Sequence, residues 1–313
     1  MTLVPWVPHP EVWTLLFGTL ALGWYTARVL EPKAVQVGYE PITRAQRVWF
    51  ALGFASLWLA SDWPMHDIAE DYLYAVHMVQ HLLLSMLVPA AFVLATPRWL
   101  FELLIPPDSR VWRWFRTASR PLVAGLVFNA LTMGLHWTSV VQWSADSAAL
   151  HFAFHLAVFV SGLLRWMPVI GPIKEWRLGP PAQCIYLFSM SIVPTVPGGW
   201  LVFAESVVYP HYDTAYRLWG IDALSDQQAA GAIMKLFGGF VLWIIIAIIF
   251  GKWAAAEGRR EREVQRALDL ERLREAEERR RIEAETPDED GELTFEDVSR
   301  AFAATTAPPE PRR

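Results

Sequence analysis

The stretch LYAVHMVQHLLLSMLVPAAFVLAT, residues 73–96, decides the fold class. It contains no Asp, Glu, Lys or Arg, and as a helix it would be about 36 Å long, enough to cross a hydrocarbon core of about 30 Å. A helix this long and this apolar is typical of a membrane span. The same stretch carries two histidines, His77 and His81, and ionisable residues inside a span indicate function.

Six further apolar blocks accompany this one, and hydrophobic residues make up 54% of the 313-residue chain. The length of the blocks and the polar segments between them favour membrane crossing over burial in a soluble core. We therefore predict an all-α, polytopic membrane helix bundle with seven transmembrane helices. The predicted spans are Val12–Leu30, Gln46–Trp63, Leu73–Thr96, Leu122–Trp143, Ala148–Met167, Ala182–Ala204 and Ala229–Lys252.

Basic residues alternate from one predicted loop to the next. Short cytoplasmic loops retain Lys and Arg, whereas outer loops lack them. The predicted outer segments contain a single basic residue, Arg217. We therefore predict that the N-terminus lies outside and that the C-terminus lies in the cytoplasm. The basic residues at the first, third and fifth loops are Arg28, Lys33, Arg44, Arg47, Arg98, Arg110, Arg113, Arg116, Arg120, Arg165, Lys174 and Arg177.

The pattern divides the chain into a seven-span membrane domain, residues 1–253, and a charged cytoplasmic tail, residues 254–313. The tail mixes acidic and basic residues, which predicts a solvated helix, then a short docking helix that begins near Thr294, and a disordered end. Because the basic residues are mixed with acidic ones, we expect no nucleic-acid partner. The single cysteine, Cys184, excludes an internal disulfide and a CxxC metal-thiolate site.

All eight histidines fall on the predicted outer side. Helix rise places His81, His136 and His155 at a similar depth of about 10 Å, with His77 and His151 about one turn above them. Residues four apart share a helix face, and neutral imidazole is a ligand for Zn, Cu, Fe and Ni. We therefore predict a shared metal site, with nearby glutamines orienting the rings. The candidate ligands are His77, His81, His136, His151, His155 and Asp226, and the candidate orienting residues are Gln80 and Gln227.

Three separated motifs resemble the CtaG family, whose members are needed to assemble caa3-type cytochrome c oxidase. They are HMVQHLLLSMLVPAAFVLATP from His77, HFAFHLAVFVSGLLRWMPVIGP from His151, and SDQQAAGAIMKLFGG, which contains Asp226 and Gln227. The resemblance covers about residues 10–253. It implies a bacterial plasma-membrane protein that acts in oxidase maturation, with oxidase subunits as partners and copper as cargo. Lys235 departs from the family pattern, which has an apolar residue there.

The residues and the resemblance together favour a non-enzymatic assembly factor that holds copper at an outer histidine site and passes it to an oxidase subunit. One alternative is a haem- or quinone-linked membrane redox protein that uses two of these histidines as axial ligands. Another is a membrane-embedded metal-dependent hydrolase, for which the chain offers no HExxH motif. The sequence leaves the metal and its oxidation state open.

Overall fold

The computed structural model describes residues 4–285 and 294–304, and within those ranges the secondary structure is helical with no strand. The all-α prediction is therefore confirmed. The chain forms two compact units, Met1–Trp253 and Ala254–Arg313. The helices are α1 Pro10–Tyr25, α2 Glu31–Gln36, α3 Arg44–Ser61, α4 Met65–Asp71, α5 Tyr74–Leu82, α6 Val88–Ala95, α7 Arg98–Leu104, α8 Arg110–Ala118, α9 Pro121–Leu135, α10 Thr138–Ala145, α11 Ala148–Ile170, α12 Pro180–Ile192, α13 Thr195–Val202, α14 Ala223–Glu285 and α15 Phe295–Ala304.

The central element of the first unit is the apolar stretch of residues 73–96. There α5 continues through a π-helical turn, Leu83–Leu87, into α6. Helix α3 packs against α6, and α11 packs against α6 and the π-helical turn. The approach of α11 is close at Gly162, where a Cβ would lie 2.6 Å from the Ser85 carbonyl oxygen and 2.8 Å from Pro89 Cγ. This packing places the two HxxxH pairs on neighbouring helices.

Four helices of the described chain are long and apolar enough to cross a membrane, and a fifth is added if α8 and α9, bent by 70°, count as one span. The four overlap the predicted third, fifth, sixth and seventh spans, and the last of them extends beyond both ends of the predicted Ala229–Lys252. The predicted first span lies on α1 and the π-helical turn Thr26–Leu30 that follows it, and the predicted second span lies on α3. Both fall outside that set, so the number seven stays a prediction. The four are Tyr74–Ala95, which comprises α5, the π-helical turn and α6; Ala148–Ile170, which is α11; Pro180–Val202, which comprises α12 and α13; and Ala223–Ile282, which is part of α14.

The predicted fourth span, Leu122–Trp143, is interrupted rather than continuous. Helix α9 ends at Leu135 and α10 begins at Thr138. Between them His136 leaves the helical conformation, with φ −91° and ψ 2°. Its ring Nδ1 lies 2.5 Å from the Thr132 carbonyl oxygen, so the imidazole N–H donates to one of the carbonyls that a helix end leaves unpaired. The histidine therefore caps α9 and stays at its end.

The second unit contains residues 254–285 of α14 and the helix α15. Residues 254–282 of α14 have mostly exposed side chains. In α15 the apolar side chains Phe295, Val298 and Phe302 are exposed. The Thr294 hydroxyl donates to the Asp297 carboxylate at the start of this helix. The predicted disordered end lies outside the described residues.

Candidate metal centre

Five imidazoles come together where α5 and α11 face the end of α9. The ring centroids are 4.5 Å apart for His77 and His81, and 4.2 Å apart for His151 and His155. Across the two helices, the His81 and His155 rings are 4.9 Å apart, and the His77 ring is 5.7 Å from both α11 rings. His136 joins through His81 at 6.3 Å. The structure thus brings together the five histidines that the sequence analysis selected, here called the histidine cluster.

Three members of the cluster are close enough to share one ion. His77, His151 and His155 each offer a ring nitrogen, and the three nitrogens lie within 4.8 Å of one another. With metal–imidazole bonds of about 2.0–2.1 Å, nitrogens around a tetrahedral ion are about 3.3 Å apart. Each pair must therefore close by no more than about 1.5 Å, which small ring movements supply. Three protein ligands with a fourth position open suit an ion that is taken up and released.

Several ring nitrogens in the cluster are buried and have no hydrogen-bond partner in the described chain. They are His77 Nδ1, His136 Nε2 and His155 Nε2. A buried polar group without a partner costs about 1–3 kcal/mol. In His136 the Nδ1–H donates to a carbonyl, so Nε2 presents a bare lone pair. Ring nitrogens without a partner are available to coordinate a metal ion, and neutral imidazole is a ligand for copper, zinc, iron and nickel.

The space between the rings is small. A cavity of about 130 Å³ is lined by the five cluster histidines and by Glu70, among others. Small-molecule sites usually measure about 300–1,000 Å³, whereas one water takes about 30 Å³. The cavity therefore fits an ion with a few waters better than a haem.

Glu70, on α4, is a site residue that the sequence analysis missed. Its Oε1 lies 2.7 Å from His151 Nε2 and 3.3 Å from His66 Nε2. Burial alone would raise the pKa of Glu70, but the close contact with His151 Nε2 and the positive charge that His151 carries when protonated outweigh burial and lower that pKa. Burial lowers the pKa of His66. The Glu70 carboxylate is therefore ionised beside the neutral His66 imidazole. It supplies negative charge at the edge of the cluster. The i,i+4 spacing from His66 is a local signal that could have identified it.

Asp226 is not brought into the cluster. Its Oδ2 accepts the Tyr74 N–H at 2.7 Å, and its Oδ1 accepts the Ala75 N–H at 3.0 Å. The first N–H groups of a helix have no partner within the helix itself, so Asp226 caps the start of α5. Asp226 is thus a buried helix cap outside the cluster, and its role as a metal ligand stays a prediction.

The two candidate orienting glutamines act at a distance from the cluster rings. The Gln227 side chain accepts the Tyr209 N–H at 3.1 Å and donates to the Tyr209 carbonyl at 2.9 Å. The Tyr209 hydroxyl in turn donates to the His136 carbonyl at 2.8 Å. Gln80 lies 3.2 Å from His66 Nδ1. The glutamines therefore hold segments next to the cluster and orient His66, which is not a member of it.

The family described as the cytochrome c oxidase caa3 assembly factor matches residues 23–256, a range that includes the whole histidine cluster. Two similar curated relatives are the uncharacterized proteins Mb0105 of Mycobacterium bovis and MT0111 of Mycobacterium tuberculosis. Each is 24% identical to this chain over 209 residues, covering 60% of this chain and 31% of the relative. The chain thus spans about a third of the length of the curated relatives it matches. No solved structure matches it significantly.

Proposed function

Because the chain belongs to the cytochrome c oxidase caa3 assembly factor family, we propose that it holds a copper ion with His77, His151 and His155 and passes it to an oxidase subunit. The observation that supports this most is the convergence of three ring nitrogens within 4.8 Å. His81 and His136 line the same cavity and provide the next ligands as the ion moves.

The donor set suits copper as cargo rather than as a permanent part of the protein. Imidazole binds copper, zinc, iron and nickel, so the ring nitrogens alone do not choose among them. Copper is favoured because cytochrome c oxidase contains copper centres and the family acts in its assembly. A three-imidazole site without a thiolate binds copper less tightly than cysteines would, which allows release to an acceptor. Holding and handing over an ion needs no covalent catalysis, so the proposed role is non-enzymatic.

We also propose that the membrane domain crosses the bacterial plasma membrane seven times, with the N-terminus outside and the C-terminus in the cytoplasm. The alternation of basic residues between loops supports this orientation. It puts the histidine cluster on the extracytoplasmic side of the bilayer, where an oxidase subunit could receive copper. The charged residues 254–313 would then be the cytoplasmic tail.

Elemental analysis of the purified full-length protein, loaded with copper and freed of excess metal, tests the function. We expect one tightly held copper in the cluster, lost in His77→Ala and in His155→Ala. Asp146→Asn is the matched control, because this carboxylate is exposed and lies outside the cluster. Cluster variants that fold and retain all their copper would refute the proposed site.

A further inference from the structure

A second group of metal-ligating side chains lies beside the histidine cluster. His9 Nε2 is 2.8 Å from Asp67 Oδ1. The His9 and His66 rings meet edge to face, with centroids 4.6 Å apart. His66 Nε2 is 3.3 Å from Glu70 Oε1, and that same oxygen is 2.7 Å from His151 Nε2. These contacts form an unbroken row of imidazoles and carboxylates that ends in the cluster.

Asp67 carries the clearest sign that the row serves a ligand. Its side chain is only 6% exposed. One carboxylate oxygen contacts His9, but Oδ2 is buried and has no hydrogen-bond partner within the described residues. Leaving a buried carboxylate oxygen unpaired is costly, more so than for a neutral group. A cation bound at this oxygen would remove that cost. If the contact between Asp67 and His9 only held two segments together, Oδ1 alone would suffice and Oδ2 would not need to be buried.

The charge around the row favours cations. The predicted outer segments contain one basic residue, Arg217, and its guanidinium donates to the Asp213 carboxylate. A surface of one charge sign raises the local concentration of the opposite ion. The acidic residues of these segments are Glu11, Asp62, Asp67, Glu70, Asp71, Asp146, Glu205, Asp213, Asp222 and Asp226.

Backbone contacts hold α4 in place beside the cluster. The Tyr212 hydroxyl donates to the Ala69 carbonyl at 3.1 Å, and His211 Nε2 lies 2.9 Å from the Glu70 carbonyl oxygen. The Glu70 side chain is therefore presented to His66 and His151 by a positioned backbone.

We propose that His9, His66, Asp67 and Glu70 form a second, outer cation site, with Glu70 the ligand shared between it and the histidine cluster. This rests on the proposed function, since the outer site delivers the ion that the cluster holds. A mixed imidazole and carboxylate set suits a divalent copper or zinc ion. Transfer is a ligand exchange without redox change: the ion releases Asp67 and His9 while it keeps Glu70 and His66, and it then exchanges His66 for His151.

Titration of the purified full-length protein with Cu(II), followed by electron paramagnetic resonance, tests the outer site. Wild type is expected to bind two equivalents with different spectra. Asp67→Asn and His9→Gln should weaken one equivalent at least tenfold and leave the other, whereas His155→Ala should do the reverse. Asp146→Asn, an exposed outer-loop acid, is the control and should bind as wild type does. Glu70→Gln should slow loading of the inner equivalent at least tenfold in stopped-flow mixing.

Two equivalents of unchanged affinity in both Asp67→Asn and His9→Gln would overturn the outer site and leave the proposed function standing. The same holds if these variants melt at a lower temperature but bind normally, because the contact would then be structural. An unchanged loading rate in Glu70→Gln would overturn its role as the shared ligand. If His155→Ala instead retained both equivalents, the proposed function itself would fail.

Discussion

Replacing Asp226 separates a helix cap from a metal ligand. Its side chain is buried, and both oxygens accept N–H groups at the start of α5, from Tyr74 at 2.7 Å and Ala75 at 3.0 Å. A hydrogen bond to a charged group contributes about 1.5–3 kcal/mol. Asp226→Asn keeps the shape and one acceptor oxygen, so we expect a loss of about 1.5–3 kcal/mol. Asp226→Ala loses both bonds, and we expect a loss of about 3–6 kcal/mol in the free energy of unfolding.

The assay is unfolding of the purified protein in mild detergent by titration with sodium dodecyl sulfate, followed by circular dichroism. Asp222→Asn is the matched control, because Asp222 is exposed and accepts the Ser225 N–H at 2.9 Å as an ordinary helix cap. Asn caps helices about as well as Asp, so we expect a change below about 0.5 kcal/mol. The folded fraction of each variant should bind copper as wild type does. Unchanged stability of Asp226→Ala together with lost copper would refute the cap and would support the prediction that Asp226 is a metal ligand.

Three further changes probe packing, charge and donor type. Gly162→Ala should cost about 1–3 kcal/mol of unfolding free energy, because its Cβ would lie 2.6 Å from the Ser85 carbonyl oxygen, whereas Gly134→Ala, with nothing within 4 Å, should not. Burial alone would raise the pKa of Asp62, but two indole N–H bonds lower it, so its stabilising effect should be present above about pH 4 and fade below it. The stability difference between wild type and Asp62→Asn should accordingly shrink between pH 6 and pH 3, and a constant difference would contradict this. Cys184→Ala should leave copper content unchanged in elemental analysis, and lost copper would point to a thiolate ligand.

The helices and the two HxxxH pairs could be predicted from the sequence because their signals are local. The length of an apolar block sets whether a helix can span a bilayer, and a spacing of four puts two rings on one face. His77, His81, His151 and His155 therefore lie together as expected. Their proximity also required α5 and α11 to be neighbours, which the matched depths suggested.

Other features could not be predicted from the length of an apolar block or from residue spacing alone. The His136 ring N–H donates to the Thr132 carbonyl of its own helix, where α9 ends. The apolar block that we predicted to be one span therefore contains two helices, α9 and α10. In the sequence, Asp226 lies next to Gln227 and on the predicted outer side with the histidines. Because aspartate serves both as a helix cap and as a metal ligand, its residue type does not distinguish the two roles. The spacing of four from His66 is a signal for Glu70 in the sequence, but its contact with His151 joins segments far apart in the sequence.

X-ray absorption spectroscopy of the copper-loaded protein tests the central claim most directly, because it reports the atoms bound to the ion. The account predicts a nitrogen-dominated first shell, with the scattering pattern of two to three imidazoles, that is lost in the doubly substituted His77→Ala, His155→Ala protein. Sulfur as the principal ligand atom, or a spectrum unaffected by both substitutions, would contradict it.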